Sequence, residues 1–352
     1  MIALLLGILQ LVSVTPLPAF ERHFDDAVGF SGADGAHSVA LPDGRVFWLF
    51  GDTFTAEVRG GRRASLDMLR NSGAIQADGR FSFVGEVLPA AGGEDWFWPG
   101  DMAVVDGRLY VFLMRIRPDP EGPPGFQFEE AGADLLCVDD PSGDPGAWKH
   151  RVVRLGMRLG AACVVAGDWL YAYGIVPGRT DRPLFVARIH RARLAALNPD
   201  DWEVWGAGGW ARGAPRVLFQ DGAPEMSVSR VPGVPGFVAV YTPSGLGPDV
   251  MARHADRPEG PWSAPLRLYT APERGLLIYG ARAHPEQSTA AGEAIVTYNR
   301  NLLDPEAHVT RPEVYRPRAL RVRLAWNGQD TSRDPWYERA GNRGDRRSPE
   351  CR

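Results

Sequence analysis

A hairpin pattern that recurs five times is the feature that most constrains this chain of 352 residues. In each copy a short apolar strand, a turn rich in Asp, Gly or Pro and a strand rich in aromatic residues follow one another. The copies begin at His37, Met102, Ala161, Met226 and Gly280. A period of about 60 residues suits one four-stranded blade with its loops. The pattern therefore predicts an all-β fold, a single five-bladed β-propeller over residues 20–326.

Composition agrees with many short strands joined by turns. The 41 glycines and 30 prolines are scattered along the chain, and 44% of the residues are hydrophobic. One short helix is predicted at residues 188–197, ended by the Asn-Pro pair that follows it. Outer strands are predicted at residues 81–88, 149–155, 202–205, 262–269 and 319–326. A pair of β-sandwiches would explain the number of strands but not the regular hairpins.

Charge and cysteine content exclude several classes of function. The net charge of −4 argues against nucleic acid as a partner, because phosphate backbones bind basic surfaces. Three cysteines without zinc-ligand spacing support neither a disulfide framework nor a metal centre, so Cys137 and Cys163 are expected to be buried thiols. No cofactor is expected.

The sequences at the two ends of the chain lead to separate predictions. The apolar run at residues 2–14 is too short to span a bilayer. Residues 1–19 therefore form either a signal-like segment or an ordinary first strand, and export is the preferred alternative, which predicts a secreted or periplasmic protein. Residues 327–352 are polar and charged, which predicts a flexible tail.

Two carboxylates in the first hairpin are the strongest catalytic candidates. The first strand of each blade lies nearest the axis, so residues at its start rim the central funnel. If Asp43-Gly44 forms a two-residue turn, Asp34 lies opposite Thr53 and Asp52 lies one step away. The two carboxyl groups are then within about 5 to 8 Å, the range of cross-strand and diagonal neighbours.

Such a pair suits acid/base catalysis. Close carboxylates ionise with difficulty together, so one holds a proton while the other acts as base or nucleophile. We expect Asp34 to be the base and Asp52 the acid of an inverting reaction, although these roles could be exchanged. The ordinary alternative is that both aspartates only stabilise turns.

Six further residues are candidates for substrate binding. Asp101 and Glu225 could tune the acid or bind sugar hydroxyls, and Arg282 could orient the catalytic pair or bind an acidic group. Trp98 offers a flat face to sugar C–H groups. His37 and Asn71 are the remaining two candidates, and the polar groups of the segment Arg70-Asn71-Ser72 are expected to hydrogen-bond Asp52. Each of them also has an ordinary structural explanation, as a surface acid, an ion pair or a packed side chain.

Several motifs resemble a known family. Ser-Gly-Ala-Asp34-Gly-Ala, Gly-Asp52-Thr-Phe, Arg-Asn71-Ser-Gly-Ala and Trp98-Pro-Gly are similar to segments of the bacterial five-bladed propeller glycoside hydrolases that include endo-D-arabinanases, formerly a domain of unknown function. The resemblance implies that Asp34 and Asp52 are the catalytic carboxylates. It also implies an exported, monomeric hydrolase that cleaves furanoside linkages of a polysaccharide or oligosaccharide substrate, such as arabinan.

Two other functions remain open at this point. One is a propeller without catalytic activity that binds glycans or proteins. The other is a metal-dependent propeller similar to lactonases or phosphodiesterases, in which rim carboxylates would supply the oxygen ligands that Ca²⁺ prefers.

Overall fold

The computed structural model describes residues 7–288 and 290–328. Within them the chain forms five sheets of four or five strands and two short two-stranded ribbons. The fold is mostly β, and its three α-helices are four to six residues long. No helix in these two ranges is long and apolar enough to cross a membrane. The first elements are β1 (Ile8–Pro16) and α1 (Pro18–Glu21).

Sheet I follows and carries both ribbons as an insertion. Its order is β2-β3-β8-β9, and the ribbons are β4-β7 and β5-β6. The strands are β2 (His37–Ala40), β3 (Val46–Phe50), β4 (Thr53–Phe54), β5 (Val58–Arg59), β6 (Arg62–Arg63), β7 (Met68–Leu69), β8 (Ser72–Ala77) and β9 (Arg80–Gly85).

Sheets II and III are antiparallel meanders. Sheet II contains β10 (Trp96–Val105), β11 (Arg108–Pro118), β12 (Phe128–Val138) and β13 (His150–Leu155). Sheet III contains β14 (Leu159–Ala166), β15 (Trp169–Ile175), β16 (Leu184–His190), β17 (Glu203–Gly206) and β18 (Gly209–Ala211), with α2 (Arg191–Leu194) after β16.

Sheet IV contains four consecutive strands, β19 (Ser227–Ser229), β20 (Phe237–Tyr241), β21 (Asp249–Ala255) and β22 (Leu266–Thr270). The remaining elements are β23 (Leu277–His284), β24 (Glu293–Asn301), α3 (Pro305–Thr310) and β25 (Arg318–Asn327). Sheet V has the order β1-β25-β24-β23, so its outermost strand comes from the beginning of the chain.

Neighbouring sheets touch through their first strands. β2 contacts β10, β10 contacts β14, β14 contacts β19, and β19 contacts β23. Sheet V also reaches sheet I, because Ser38 Oγ is 2.5 Å from His284 Nδ1 and the His284 ring lies 4.9 Å from that of Trp48. The second strands are buried on both faces between adjacent sheets, which explains why they are rich in aromatic residues.

Three of the first strands share a bulge at the same place. The register shifts between Pro99 and Met102 in β10, and equivalent shifts in β14 and β23 fall at Gly160 and Gly280. A methyl group on Gly100 would come within 2.8 Å of the Gly160 carbonyl oxygen. The first strands therefore pack backbone against backbone, and the bulges redirect the side chains that follow them.

The predicted two-residue turn in the first hairpin is wrong. The Leu41 N–H donates to the Arg45 carbonyl at 2.7 Å, so Pro42, Asp43 and Gly44 form a three-residue loop. Gly44 adopts a φ of 89°, and the Asp43 carboxylate accepts a hydrogen bond from the Arg45 N–H at 3.1 Å. The extra loop residue moves every cross-strand pair by one position.

Two predicted element boundaries also need correction. The helix predicted at residues 188–197 is shorter, because residues 188–190 end β16 and only Arg191–Leu194 is helical. The His190 ring accepts a hydrogen bond from the Ala192 N–H at 3.2 Å and so caps this helix at its start. The strand predicted from Trp262 begins only at Leu266.

The ends of the chain match the expectations in part. Ile8–Pro16 is a strand that pairs with β25, which was one of the two alternatives for residues 1–19. The tail expected at residues 327–352 lies outside the described residues from position 329 onward. Cys137 and Cys163 are buried free thiols, as the sequence predicts.

Candidate active site

A cavity of about 300 Å³ opens where the first strands of the sheets begin. Three carboxylates line it: Asp34, Asp52 and Glu225. The remaining wall includes Trp98, Met114, Phe126, Phe128, Arg182, Leu246, Leu277, Tyr279, Asn301, Leu303 and Tyr315. The cavity is therefore acidic at one side and largely apolar and aromatic elsewhere, the composition of a ligand pocket with a few directed polar groups.

Sheet I brings Asp34 and Asp52 into this cavity together. Ala33 and Thr53 form an isolated antiparallel bridge, so Asp34 and Asp52 are the next residues on the two facing segments. The Gly51 N–H donates to the Asp34 carbonyl at 3.0 Å. The corrected register places the aspartates opposite one another. Both side chains line the same cavity.

Asp34 is held by phenols rather than by cations. The Tyr279 hydroxyl donates to Asp34 Oδ2 at 2.6 Å, and the Tyr315 hydroxyl is a second donor to the same carboxyl group. Burial, followed by the charges of Glu225 and Asp52, raises the pKa of Asp34 to about 8, and the two phenols oppose this shift. Asp34 is thus the carboxyl group that keeps a proton at neutral pH.

Asp52 has donors that favour its ionised form. The Trp98 indole N–H donates to Oδ1 at 2.9 Å, and Arg70 Nη1 lies 3.5 Å from Oδ2. Burial is the largest effect and raises the pKa of Asp52 overall, while the indole hydrogen bond and the Arg70 charge oppose this shift. These surroundings favour Asp34 as the acid and Asp52 as the base, the reverse of the roles expected from the sequence.

Glu225 is the third carboxylate of the cavity. Burial raises its pKa, whereas the charges of Arg282 and Arg182 lower it. Its own charge is the largest electrostatic cause, after burial, of the raised pKa of Asp34. Glu225 therefore helps to retain the proton on Asp34, a role that the sequence suggested only in general terms.

Asp101 and Arg282 do not line the cavity that holds Asp34 and Asp52. Asp101 lines a second cavity of about 260 Å³, together with Ser38 and Glu286. Its carboxylate accepts a hydrogen bond from the Cys163 N–H at 2.7 Å and lies 3.9 Å from Arg282 Nη1. Arg282 is 2% exposed and lines neither cavity. The structure therefore does not place these two candidates for substrate binding beside the proposed catalytic pair.

Asn71 and His37 are not in contact with the cavity either. The Asn71 side-chain oxygen accepts hydrogen bonds from the N–H groups of Val87 and Leu88 at 3.0 and 2.9 Å, so it holds a loop. Within the segment Arg70-Asn71-Ser72, it is Arg70 that makes the expected contact with Asp52. His37 is fully buried, and burial holds its pKa well below the ordinary value.

Two tyrosines from the last quarter of the chain complete the site. Tyr279 lies in β23, directly before the start of the fifth hairpin copy, and Tyr315 lies in the segment before β25, where no motif marks it. Buried Arg63 fixes the segment before Tyr315, since its guanidinium donates to the carbonyls of Ser31 at 3.1 Å and Pro312 at 3.0 Å. Arg63 thereby joins the loop that carries Asp34 to the segment that carries its second phenol.

Metal ligation receives no support from side-chain geometry in the described ranges. No group of three or more His, Cys, Asp or Glu residues there is arranged to hold an ion. The charged and polar groups at the site include carboxylates, phenols and arginines.

The fold and the site define a mostly β protein with a carboxylate-lined cavity at the start of its inner strands. The chain belongs to the family described as "Domain of unknown function (DUF5005)", which matches residues 18–329. A curated relative, "Notoamide biosynthesis cluster protein J" of Aspergillus sp. (strain MF297-2), is 28% identical over 132 residues, which are 37% of this chain and 35% of the relative. The matched region thus spans about a third of that relative's length.

Solved structures show a similar fold at low sequence identity. A presumed hydrolase from Bacteroides ovatus ATCC 8483 has a TM-score of 0.73 and 18% identity over 88% of this chain and 90% of that one. A GH43_1 enzyme from Xanthomonas citri has a TM-score of 0.51 and 16% identity over 88% and 93% of the two chains. An exo-beta-1,3-galactanase from Phanerochaete chrysosporium, determined with beta-1,3-galactotriose, has a TM-score of 0.51 and 11% identity over 82% and 60%.

Proposed function

We propose that this protein is a glycoside hydrolase whose reaction uses Asp34 and Asp52. The observation that carries the proposal is the pairing of two facing carboxyl groups with opposite surroundings in one cavity. Asp34 has phenols and a neighbouring glutamate, and its pKa of about 8 keeps it protonated. Asp52 has an indole N–H and an arginine, which favour the anion. Glycoside hydrolysis requires one proton donor and one proton acceptor or nucleophile.

The two carboxyl groups and one water molecule account for every bond and proton in the proposed reaction. Asp34 transfers its proton to the glycosidic oxygen while the bond from that oxygen to the anomeric carbon breaks. Asp52 removes a proton from the water whose oxygen bonds to the anomeric carbon. The products are a sugar with a free anomeric hydroxyl and an alcohol. Asp52 then releases its proton to solvent, and solvent returns a proton to Asp34. Glu225 maintains the protonated state of Asp34 between turnovers.

We further propose that the five sheets are the blades of one propeller and that the substrate is a furanoside polymer such as arabinan. Contacts between consecutive first strands and between sheets V and I support the ring. The first-hairpin motifs support the substrate through their resemblance to endo-D-arabinanases. Action outside the cytoplasm, on an envelope polysaccharide, belongs to the same proposal.

The test is a hydrolysis screen of the full chain against plant, fungal and mycobacterial polysaccharides, with and without chelator. Proton NMR of the first product identifies its anomeric configuration. Asp34→Asn and Asp52→Asn should each lower polysaccharide hydrolysis by at least about 10²-fold, since acid/base groups contribute that much. Asp78→Asn is a matched control, because Asp78 lies in an exposed hairpin turn with a φ of 50° that asparagine also adopts.

Substrates with different leaving groups distinguish the roles of the two aspartates. An aryl glycoside with an acidic phenol needs little proton donation, so Asp34→Asn should retain most activity on it, whereas Asp52→Asn should not. Near-normal polysaccharide hydrolysis in both variants would refute the proposed pair. Loss of wild-type activity with chelator would favour the metal-dependent alternative instead.

A further inference from the structure

Arg182 is the one basic residue among the described residues that line the cavity. It is partly buried and lines the same cavity as Asp34, Asp52 and Glu225. Its charge influences the pKa values of Glu225 and Glu130. Within residues 7–288 and 290–328, however, its guanidinium has no hydrogen-bonded or ion-paired partner. Arg179, in the same loop, instead pairs with Asp181.

The backbone around Arg182 is strained. Its φ is 53°, a left-handed conformation that costs a non-glycine residue about 1 kcal/mol or more. A neighbouring loop holds a second such residue, Ser244, with a φ of 53°. Strained residues of this kind cluster at ligand-binding sites, and Arg182 lines the cavity that holds the three carboxylates.

Arg182 is packed beside two glycines. A methyl group on Gly222 would lie 2.8 Å from the Arg182 carbonyl oxygen, so the Arg182 backbone runs close to Gly222. Gly245 lies beside the side chain, since a methyl group there would be in ordinary contact with Arg182 Nε at 3.4 Å. Arg182 and Gly245 both line the cavity.

We propose that Arg182 binds an anionic oxygen group on the sugar substrate, either a uronate carboxylate or a sugar phosphate. The inference rests on the proposed glycoside hydrolase function and deepens it by naming the charge of the substrate. A planar guanidinium offers two parallel N–H donors to a carboxylate or phosphate, and such charge-assisted hydrogen bonds are about twice as strong as neutral ones. With Asp34 protonated, the charge of Arg70 offsets that of Asp52 and the charge of Arg182 offsets that of Glu225, so an anion can enter.

The experiment measures binding to the Asp52→Asn protein, in which turnover is removed. The ligands are oligogalacturonate, glucuronoxylan and alginate oligosaccharides, each paired with its carboxyl-reduced counterpart, and D-arabinose 5-phosphate paired with D-arabinose. Calorimetry should show at least one charged ligand binding about tenfold or more tightly than its neutral partner. Preference within the uronate pairs identifies a carboxylate, and preference within the phosphate pair identifies a phosphate.

Arg182→Gln in the same background should reduce this preference to less than about twofold, and Arg182→Lys should retain part of it because the charge remains. Raising the ionic strength should weaken binding of the charged ligand to the parent but not to Arg182→Gln. Arg179→Gln removes a charge from the same loop outside the cavity and should leave the preference unchanged.

Two results would overturn the inference. One is equal affinity for charged and neutral ligands in every pair, and the other is a preference that survives Arg182→Gln. In either case neutral sugars still bind or are hydrolysed, so the glycoside hydrolase proposal stands. If no charged or neutral sugar binds and none is hydrolysed, both proposals are refuted together.

Discussion

The Tyr279 hydroxyl donates a hydrogen bond of 2.6 Å to the Asp34 carboxyl group. The two residues are 245 positions apart in the chain, yet the phenol helps to set the proton affinity of the carboxyl group. The phenol stabilises ionised Asp34, whereas burial, Glu225 and Asp52 stabilise the protonated form. The proton affinity of the proposed acid is therefore set by Tyr279 of β23 together with Asp52, which follows β3, and Glu225, which precedes β19.

Tyr279→Phe should move the alkaline limit of activity to higher pH. The variant loses a donor that lowers the pKa of Asp34, so the acid remains protonated at more alkaline pH. The kcat/KM profile on a responsive polysaccharide measures the shift, and the ratio of activity at pH 9 to that at pH 7 should increase. Tyr110→Phe removes a buried phenol outside the cavity and serves as the control. A limit that moves to lower pH would contradict the assignment of Asp34 as the acid.

Asp34→Asn should stabilise the protein increasingly as pH rises. The pKa of Asp34 is about 8 when folded and near 3.8 when unfolded, so between these values the folded state binds the extra proton. The free energy of unfolding of the wild type then falls with pH, by about 1.4 kcal/mol per unit from this group. The neutral amide carries no such dependence. Urea unfolding of both proteins between pH 5 and 8 measures the difference, and parallel curves would disprove the raised pKa.

Trp98→Phe should weaken catalysis through Asp52. Loss of the indole N–H removes a donor to Oδ1 and raises the pKa of Asp52, so the acidic limit of kcat/KM should move to higher pH. The loss of one hydrogen bond to a charged group corresponds to a roughly tenfold lower kcat/KM. Trp148→Phe is the matched control, because its indole donates to the Ser142 carbonyl at 2.7 Å away from the cavity. An unchanged acidic limit in Trp98→Phe would show that Asp52 is not the base.

Gly100→Ala should destabilise the fold by about 1 to 3 kcal/mol, the usual cost of overpacking. The added methyl group would lie 2.8 Å from the Gly160 carbonyl and 3.0 Å from the Phe112 carbonyl, neither of which can move easily. Gly156→Ala places the same methyl group in open space and should change stability by less than about 0.5 kcal/mol. Equal unfolding midpoints for the two variants would mean that the first strands are less tightly packed than described.

Local signals explain which parts of this structure the sequence could predict. The hairpins were found because turn residues and apolar strands lie next to each other in the chain. Asp34 and Asp52 were found because a single hairpin connects them. The register predicted for this hairpin was wrong by one residue. A three-residue loop with a glycine at positive φ contains the same Asp-Gly pair as a two-residue turn, so the sequence does not distinguish them.

Long-range contacts explain what the sequence could not predict. Tyr315 lies in a segment that Arg63 joins to the Asp34 loop, about 280 residues away in the chain. Asp101 lies in the bulge between Pro99 and Met102 and lines the second cavity, and no local pattern in the sequence indicates that bulge. Arg182 lies in no motif, and its place in the cavity wall depends on how distant loops pack together.

Pairing of β1 with β25 has a consequence for how the protein is made. Sheet V combines residues 8–16 with residues 277–327, so the ribosome must have released nearly the whole chain before this sheet can be completed. Bringing together two segments about 300 residues apart costs about 5 kcal/mol of loop-closure entropy. The hairpins close much shorter loops and have a smaller cost. Sheets I to IV can form during synthesis, whereas Tyr279 reaches Asp34 only when sheet V assembles. The proposed enzyme would therefore become active at the last step of its folding, after the slowest and least local contact is made.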